Sequence, residues 1–184
     1  ALFMEMGCGK SKVLLDNIAL LYLKGLVNAA LIVAPQGVYD NWVDGEIPIH
    51  VPDYINKRIY RWSPSETQKN KALRENILKF STDLDFVVMN IEAFSSKKGT
   101  DFASKFLLNK RALFAIDEST TIKSPTATRT KNTVRLAKYA VHRRILTGSP
   151  VTRSPLDLYT QCEFLDPGLL GFSSYYSFRA RFAE

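Results

Sequence analysis

Ala1-Leu2-Phe3-Met4-Glu5-Met6-Gly7-Cys8-Gly9-Lys10-Ser11 is the most informative part of this sequence, because it joins an apolar run to a glycine loop that opens a helical pattern. Gly7 and Gly9 can adopt positive φ, so that backbone N–H groups approach phosphate oxygens closely at the positive end of the following helix. This arrangement predicts a phosphate-binding loop for a nucleotide triphosphate. The predicted nucleotide-binding residues are Met6, Gly7, Cys8, Gly9, Lys10, Ser11 and Lys12.

Two residues of this loop have predicted chemical roles. Lys10 would reach the β and γ phosphates as a catalytic residue, and the Ser11 hydroxyl would hold Mg²⁺, so the expected cofactors are ATP and Mg²⁺. The full loop pattern has a glycine where this chain has Met4. An ordinary glycine turn that caps a helix is therefore the alternative interpretation of the loop alone.

A pair of carboxylates follows a second apolar run, at 112–116. An acidic residue at the carboxyl end of a buried parallel strand lies where open α/β sheets bind their ligands. Asp117 and Glu118 are both predicted to be catalytic residues: Asp117 would share the Mg²⁺ with Ser11, and Glu118 would orient or deprotonate the attacking water. The alternative is a solvated turn after a strand.

Apolar, β-branched runs alternate with helical patterns along the chain, which predicts an α/β fold with a mostly parallel sheet flanked by helices on both faces. The predicted strands are 1–4, 30–34, 58–62, 85–89, 112–116 and 144–147. The predicted helices are 11–26, 38–45, 65–80, 101–108 and 126–139. The segment 95–100 is predicted to be a mobile loop, and 151–184 a helical tail.

The net charge of +7 comes from 25 basic and 18 acidic residues and is concentrated in one segment. Residues 110–153 contain ten lysines and arginines, against only Asp117 and Glu118. Such a cluster is either a solvated face or a footprint for a polyanion, and nucleic acid is the natural polyanion.

The cysteine count and the apolar runs bear on the compartment. Two cysteines argue against a disulfide scaffold and favour a reducing, intracellular compartment. We expect the cytoplasm of a bacterium or of a phage host rather than a nucleus. The longest apolar stretch, 13–27, is too short and too polar for a membrane span, so no membrane partner is expected.

An ordered set of motifs resembles the Swi/Snf-type branch of superfamily 2 helicases. The glycine loop looks like the nucleotide loop of that superfamily, in which the first glycine is commonly absent. The run from Leu31 to Pro35, followed by Trp42, resembles its second motif, whose loop touches the nucleic-acid backbone. The remaining matches are Asp117-Glu118-Ser119-Thr120, Ile122-Lys123-Ser124-Pro125, Arg144 to Val151, Ser154 to Leu158 and Phe164-Leu165-Asp166-Pro167.

The resemblance implies a first RecA-like, P-loop NTPase lobe of an ATP-driven motor that moves along duplex DNA. Residues 1–184 would be one lobe of a longer protein, with the tail leading to a second RecA-like lobe that carries an arginine finger. Ser119-Thr120 replaces the usual end of the carboxylate box and removes a histidine that contacts the third motif. The implied coupling residues are Thr147, Gly148 and Ser149, and the implied DNA-binding residues are Pro35, Gln36, Lys123 and Arg129.

Two other functions stay open on the sequence. One is a catalytically silent DNA-binding module with the same fold, against which the intact Lys10, Ser11, Asp117 and Glu118 argue. The other is an RNA-directed helicase lobe of superfamily 2, against which the Lys123-Ser124-Pro125 segment and the Leu165-Asp166-Pro167 ending argue.

Overall fold

The computed structural model describes residues 1–182, in which six strands form one sheet with every neighbouring pair parallel. The order across the sheet is β1-β6-β5-β2-β4-β3. Parallel neighbours require crossover connections, which the intervening helices supply. The strands are β1 (Leu2–Phe3), β2 (Ala29–Ala34), β3 (Lys57–Arg61), β4 (Leu84–Asn90), β5 (Ala112–Asp117) and β6 (His142–Thr147).

Helices cover both faces of this sheet, as predicted. Leu31 of β2 lies in one apolar core with Phe106, whereas the next residue, Ile32, lies in a second core with Ile18. Successive strand residues point to opposite faces, so both faces are buried. The helices are α1 (Lys10–Leu23), α2 (Tyr39–Asn41), α3 (Ile47–His50), α4 (Gln68–Leu78), α5 (Lys97–Asn109), α6 (Thr128–Ala137), α7 (Tyr159–Leu165) and α8 (Tyr175–Phe182).

The segment 38–50 differs from the single helix predicted at 38–45. A π turn, Trp42–Glu46, joins α2 to α3, and the Ile47 N–H donates to the Trp42 carbonyl five residues earlier. Gly45 lies within this wide turn, where an added Cβ would meet only the Asn41 side chain, 2.9 Å from its Oδ1. Pro48 has no backbone N–H, so it cannot donate the hydrogen bond that an α-helix would form to the residue four positions earlier.

The prediction of a mobile loop at 95–100 was wrong. The Ser96 side chain caps α5 by accepting from the Gly99 N–H at 3.1 Å, and Gly99 and Thr100 are buried. A Cβ at Gly99 would overlap the Ala93 carbonyl oxygen, so this glycine permits close packing rather than mobility. The serine and glycine composition therefore marks a helix start.

One lysine of the basic segment belongs to the core. Lys110 Nζ lies 2.8 Å from Asp85 Oδ2, and the Arg58 guanidinium donates to both oxygens of the same carboxylate. Asp85 and Lys110 are both buried, so their charges compensate each other inside the protein. Lys110 is therefore not available to a polyanion.

The predicted helical tail contains a 3₁₀ turn, Pro155–Leu158, followed by α7 and α8. Phe178 of α8 is buried against Tyr159 and Phe172, so its ring packs within the protein. The last two positions of the predicted tail lie outside the described residues. Along residues 1–182, no helix combines the length and the apolar character that a membrane crossing needs.

Candidate active site

Four strands end side by side at one edge of the sheet, and the predicted site segments follow them. Phe3 is paired with Thr147, and Asp117 is paired with Leu146, so β1, β6 and β5 end at the same level. β2 lies next to β5. The glycine loop, the carboxylates, the 147–149 segment and Pro35 therefore meet at the carboxyl edge, where open α/β sheets bind ligands.

The glycine loop has the backbone geometry of a phosphate cradle. Gly7 and Gly9 have φ values of 79° and 80°, which other residues adopt only with strain. Gly9 is the N-cap of α1, and the space that a Cβ would fill at either glycine is open. Met6 and Cys8 are exposed. The loop therefore leaves room for an anion at the amino end of α1.

The Lys10 ammonium lies over this loop. Its Nζ donates to the Met4 and Glu5 carbonyl oxygens, each at 2.9 Å. Phosphate oxygens would offer stronger, charge-assisted contacts in their place. Ser11 follows in the first turn of α1 and is half-buried, so these residues fit a nucleotide phosphate with Mg²⁺.

The Lys12 side chain does not extend toward the glycine loop, as the prediction of a nucleotide-binding side chain would require. Its Nζ is paired with Asp16 one turn along α1, and both side chains are about half exposed. The Lys12 backbone N–H, in the first turn of the helix, is the group that faces the loop's end of α1. Only the backbone of this residue therefore fits the predicted site.

Both oxygens of Asp117 accept hydrogen bonds. The Trp42 indole Nε1 donates to Oδ2 at 2.9 Å, and the Glu118 backbone N–H donates to Oδ1 at 3.0 Å. The pKa of Asp117 lies above its ordinary value, mainly because the carboxyl group is buried. The negative charge of Glu118 also raises this pKa, whereas the hydrogen bond from Trp42 and the positive charge of Lys10 lower it. The carboxylate is therefore fixed in orientation and lies within reach of the Lys10 charge.

Glu118 has a strained backbone and a direct link to the predicted coupling segment. Its φ of 50° is in the left-handed region, which is uncommon for a residue other than glycine and recurs at functional sites. The Thr147 hydroxyl donates to Glu118 Oε2 at 3.2 Å, and the Ser149 N–H donates to that hydroxyl at 3.3 Å. A Cβ at Gly148 would lie 3.6 Å from the Met4 carbonyl oxygen. The 147–149 segment thus contacts Glu118 and, because the Met4 N–H donates to the Thr147 carbonyl at 3.2 Å, the run that leads into the glycine loop.

A buried glutamine, missed on the sequence, ties the carboxylate turn to the segment after β6. The Ser119 hydroxyl donates to Gln161 Oε1 at 2.5 Å, and Gln161 Nε2 donates to the Pro150 and Asp157 carbonyl oxygens at 2.7 Å. Ser119 and Gln161 are completely buried. The resemblance leads one to expect a histidine that connects the carboxylate turn to the segment after β6. In this chain the Thr147–Glu118 hydrogen bond and the hydrogen bonds of Gln161 make that connection.

The predicted DNA-binding residues fall into two groups. Pro35 and Gln36 follow β2 at the carboxyl edge, half-buried and exposed respectively. Lys123 is already bound to Thr152 and lies 3.7 Å from Asp157, while Arg129 Nε donates to the Thr121 carbonyl at 3.2 Å.

The basic segment as a whole is divided between interior and surface. Arg143 and Arg144 donate to backbone carbonyls, as Lys110 does, and so contribute little to a polyanion surface. The exposed members of the segment are Arg111, Lys131, Arg135, Lys138 and Arg153.

Comparison with known proteins gives relatives of one kind. The chain is 28% identical over 171 residues to the zebrafish (Danio rerio) "SWI/SNF-related matrix-associated actin-dependent regulator of chromatin subfamily A containing DEAD/H box 1A", covering 92% of this chain and 17% of that protein. It is 28% identical over 183 residues to the "Chromatin-remodeling ATPase INO80" of Eremothecium gossypii, covering 98% of this chain and 12% of the relative. The chain thus spans less than a fifth of the length of these relatives.

Solved structures give the same fold. The Sulfolobus solfataricus SWI2/SNF2 ATPase core in complex with dsDNA matches with a TM-score of 0.73 at 21% identity, over 99% of this chain and 34% of that one. The core domain of the same name matches with a TM-score of 0.69 at 23% identity, over 99% and 33%. The fold is therefore RecA-like, as predicted.

The expected bacterial or phage-host cytoplasm was wrong. The relatives above come from Danio rerio and Eremothecium gossypii, and their names refer to the regulation or remodelling of chromatin, as does the name of a relative from Arabidopsis thaliana. Few cysteines indicate only that thiols stay reduced, which holds in the nucleus as well as in the cytosol. Composition therefore could not separate these compartments.

The whole sequence finally matches one family. The sequence model of the SNF2-related domain matches residues 1–184. With the loop, the carboxylates and the parallel sheet arranged as described, the chain belongs to the SNF2-related domain family.

Proposed function

We propose that this chain is the ATP-binding and ATP-hydrolysing lobe of a DNA-dependent translocase, coupling Mg-ATP hydrolysis to movement on duplex DNA. The observation that carries the proposal is the bond from Thr147 to Glu118, 3.2 Å long, beside the glycine loop. It joins a predicted water-activating carboxylate to a segment that also accepts a hydrogen bond from the Met4 N–H, in the run that leads into the glycine loop. A solvated turn or an ordinary capping loop would need neither contact.

The residues divide the chemistry among them. Lys10 binds the β and γ phosphates, Ser11 and Asp117 hold Mg²⁺, and Glu118 accepts a proton from the attacking water. Bound Mg-ATP supplies the phosphoryl group and most of the charge that the site must balance. Thr147 senses a change at Glu118, because its hydroxyl is bonded to that carboxylate, and Ser149 follows Thr147 through its own N–H.

Duplex DNA is the proposed partner of the same edge of the sheet. A structural relative is described as an ATPase core in complex with dsDNA, and Gln36 is exposed next to the predicted site. Of the exposed basic residues of the segment, Arg153 follows β6 at this edge and supplies attraction to phosphates without reading bases, whereas Arg111 precedes β5 at the opposite edge. We further propose that a second RecA-like lobe lies downstream in the same polypeptide, with the 151–184 tail leading to it.

The first test concerns Lys10. Lys10→Ala is expected to weaken Mg-ATP binding by about 10- to 100-fold, since a hydrogen bond to a charged group contributes about 1.5–3 kcal/mol. Lys12→Ala is the matched control, because it removes an equal charge from the same helix turn while its ammonium is engaged by Asp16. Titration with a fluorescent nucleotide measures both. Equal losses in the two variants would contradict the role given to Lys10.

The second test concerns DNA. Binding of duplex DNA to this chain is expected to weaken with salt at a log–log slope of about −0.9 per phosphate neutralised, with little sequence preference. Arg153→Ala, which removes an exposed charge beyond the carboxyl end of β6, should reduce the slope by about 1. Lys24→Ala is the control, because Lys24 is exposed at the far end of α1. A binding constant that does not change between low and moderate salt would exclude the proposed backbone contacts.

A further inference from the structure

Trp42 connects two parts of the proposed site that lie far apart in the sequence. Its indole is 1% exposed and donates to Asp117 Oδ2 at 2.9 Å, across 75 residues of sequence. The other oxygen of Asp117 is bonded to the neighbouring Glu118 N–H and therefore moves with β5. The indole bond is the contact of this carboxylate that comes from a different element of the fold.

The segment that carries Trp42 starts at the predicted DNA-contacting loop. The Pro35 carbonyl accepts from the Val38 and Tyr39 N–H groups at 3.0 and 3.1 Å, so the helical path begins at that residue. α2 and the π turn then continue without a break to Trp42 and beyond. A displacement at Pro35 or Gln36 thus reaches the indole through one hydrogen-bonded segment.

Ion pairs to β3 attach the same segment to the sheet at a second place. The Arg61 side chain at the end of β3 pairs with Asp40 and Asp44, which flank Trp42. These pairs are exposed, so they guide the segment without fixing it as firmly as a buried pair would. The π turn itself is a single wide turn of the kind that recurs at functional sites.

We propose that Trp42 is a positioning residue through which duplex DNA at Pro35 and Gln36 changes the orientation of the Asp117 carboxylate, and thereby the affinity of the site for Mg-nucleotide. The inference rests on the proposed function of the chain. By thermodynamic reciprocity, Mg-nucleotide must then change the affinity for DNA by the same factor. A tryptophan that only fills the core would produce no such coupling.

The test uses the two tryptophans of this chain, Trp42 and Trp62. Trp62 is also buried but stacks on Phe102, so Trp62→Phe is a matched control for Trp42→Phe. Mg-ADP affinity is measured for each protein with and without saturating duplex DNA. We expect unchanged protein and Trp62→Phe to show a DNA-dependent change of about 5- to 150-fold. Trp42→Phe should retain DNA binding and lose most of that change.

A fluorescence measurement keeps the inference testable even if Trp42→Phe fails to fold. In Trp62→Phe, Trp42 is the only indole, so duplex DNA and Mg-ADP should each change its emission. The inference is overturned if the emission does not respond to DNA, if Trp42→Phe keeps the full coupling factor, or if the unchanged protein binds both ligands without coupling. Absence of Mg-ADP or DNA binding in the unchanged protein would instead refute the proposed function, and the inference with it.

Discussion

Replacing Glu118 by glutamine is expected to lower the rate of ATP hydrolysis by about 10²- to 10⁴-fold and to leave nucleotide affinity nearly unchanged. The amide cannot accept the proton of the attacking water, whereas the Lys10 ammonium and the glycine loop stay intact. Glutamine also keeps a side-chain oxygen that can accept from the Thr147 hydroxyl, which is bonded to Glu118 at 3.2 Å. The loss should therefore fall on kcat rather than on binding.

The measurement is steady-state ATP turnover with saturating duplex DNA, together with a nucleotide titration. It requires the proposed two-lobe protein, in which turnover is expected to be measurable. Glu75→Gln is the control, because Glu75 is an exposed residue of α4 and its change removes the same charge from the surface. If Glu118→Gln lost affinity as strongly as Lys10→Ala does, Glu118 would be a binding residue and its assignment as the base would be wrong.

The parts of the site that the sequence predicted are those in which a local pattern determines the structure. Residue type permits the positive φ values of Gly7 and Gly9, and the position of Asp117 follows from the apolar run that ends at it. In a parallel sheet these two local features meet at one edge without further information. The sheet and its two-sided helical cover were predictable for the same reason.

The parts that the sequence did not predict depend on contacts between distant residues. Trp42 was identified only as part of a motif next to a nucleic-acid-contacting loop, and nothing local indicates its bond to Asp117. Gln161 is a polar residue in α7, a helix that packs on the core, and a polar residue at such a position could have been noticed in the sequence. Lys110 was counted as surface charge, because only the fold shows that it lies beside Asp85. Charge counted along a segment is therefore a poor guide to charge on a surface.

The arginines of this chain bear on whether it can turn over ATP without a partner. Phosphoryl transfer needs stabilisation of the charge on the transferred group, and an arginine finger contributes about 10³- to 10⁵-fold in rate. Within residues 1–182, no arginine forms an ion pair with Asp117 or Glu118. Arg129, Arg143 and Arg144 are bonded to backbone carbonyls or to Asn17. The family resemblance accordingly leads us to expect the stabilising arginine from a second lobe.

We accordingly expect residues 1–184 alone to hydrolyse ATP about 10³ to 10⁵ times more slowly than the same chain joined to a second RecA-like lobe, at saturating Mg-ATP and duplex DNA. The exposed glycine loop gives a nucleotide one wall of protein, since Met6 is 86% exposed and Cys8 is exposed as well. A second lobe would close that side, exclude water and complete the charge that the transition state requires. Turnover of the two proteins is compared directly, with Glu118→Gln in the two-lobe protein as the measure of background hydrolysis. Strong DNA-stimulated hydrolysis by residues 1–184 alone would show that this lobe supplies its own transition-state arginine, and the two-lobe mechanism would then be wrong for this protein.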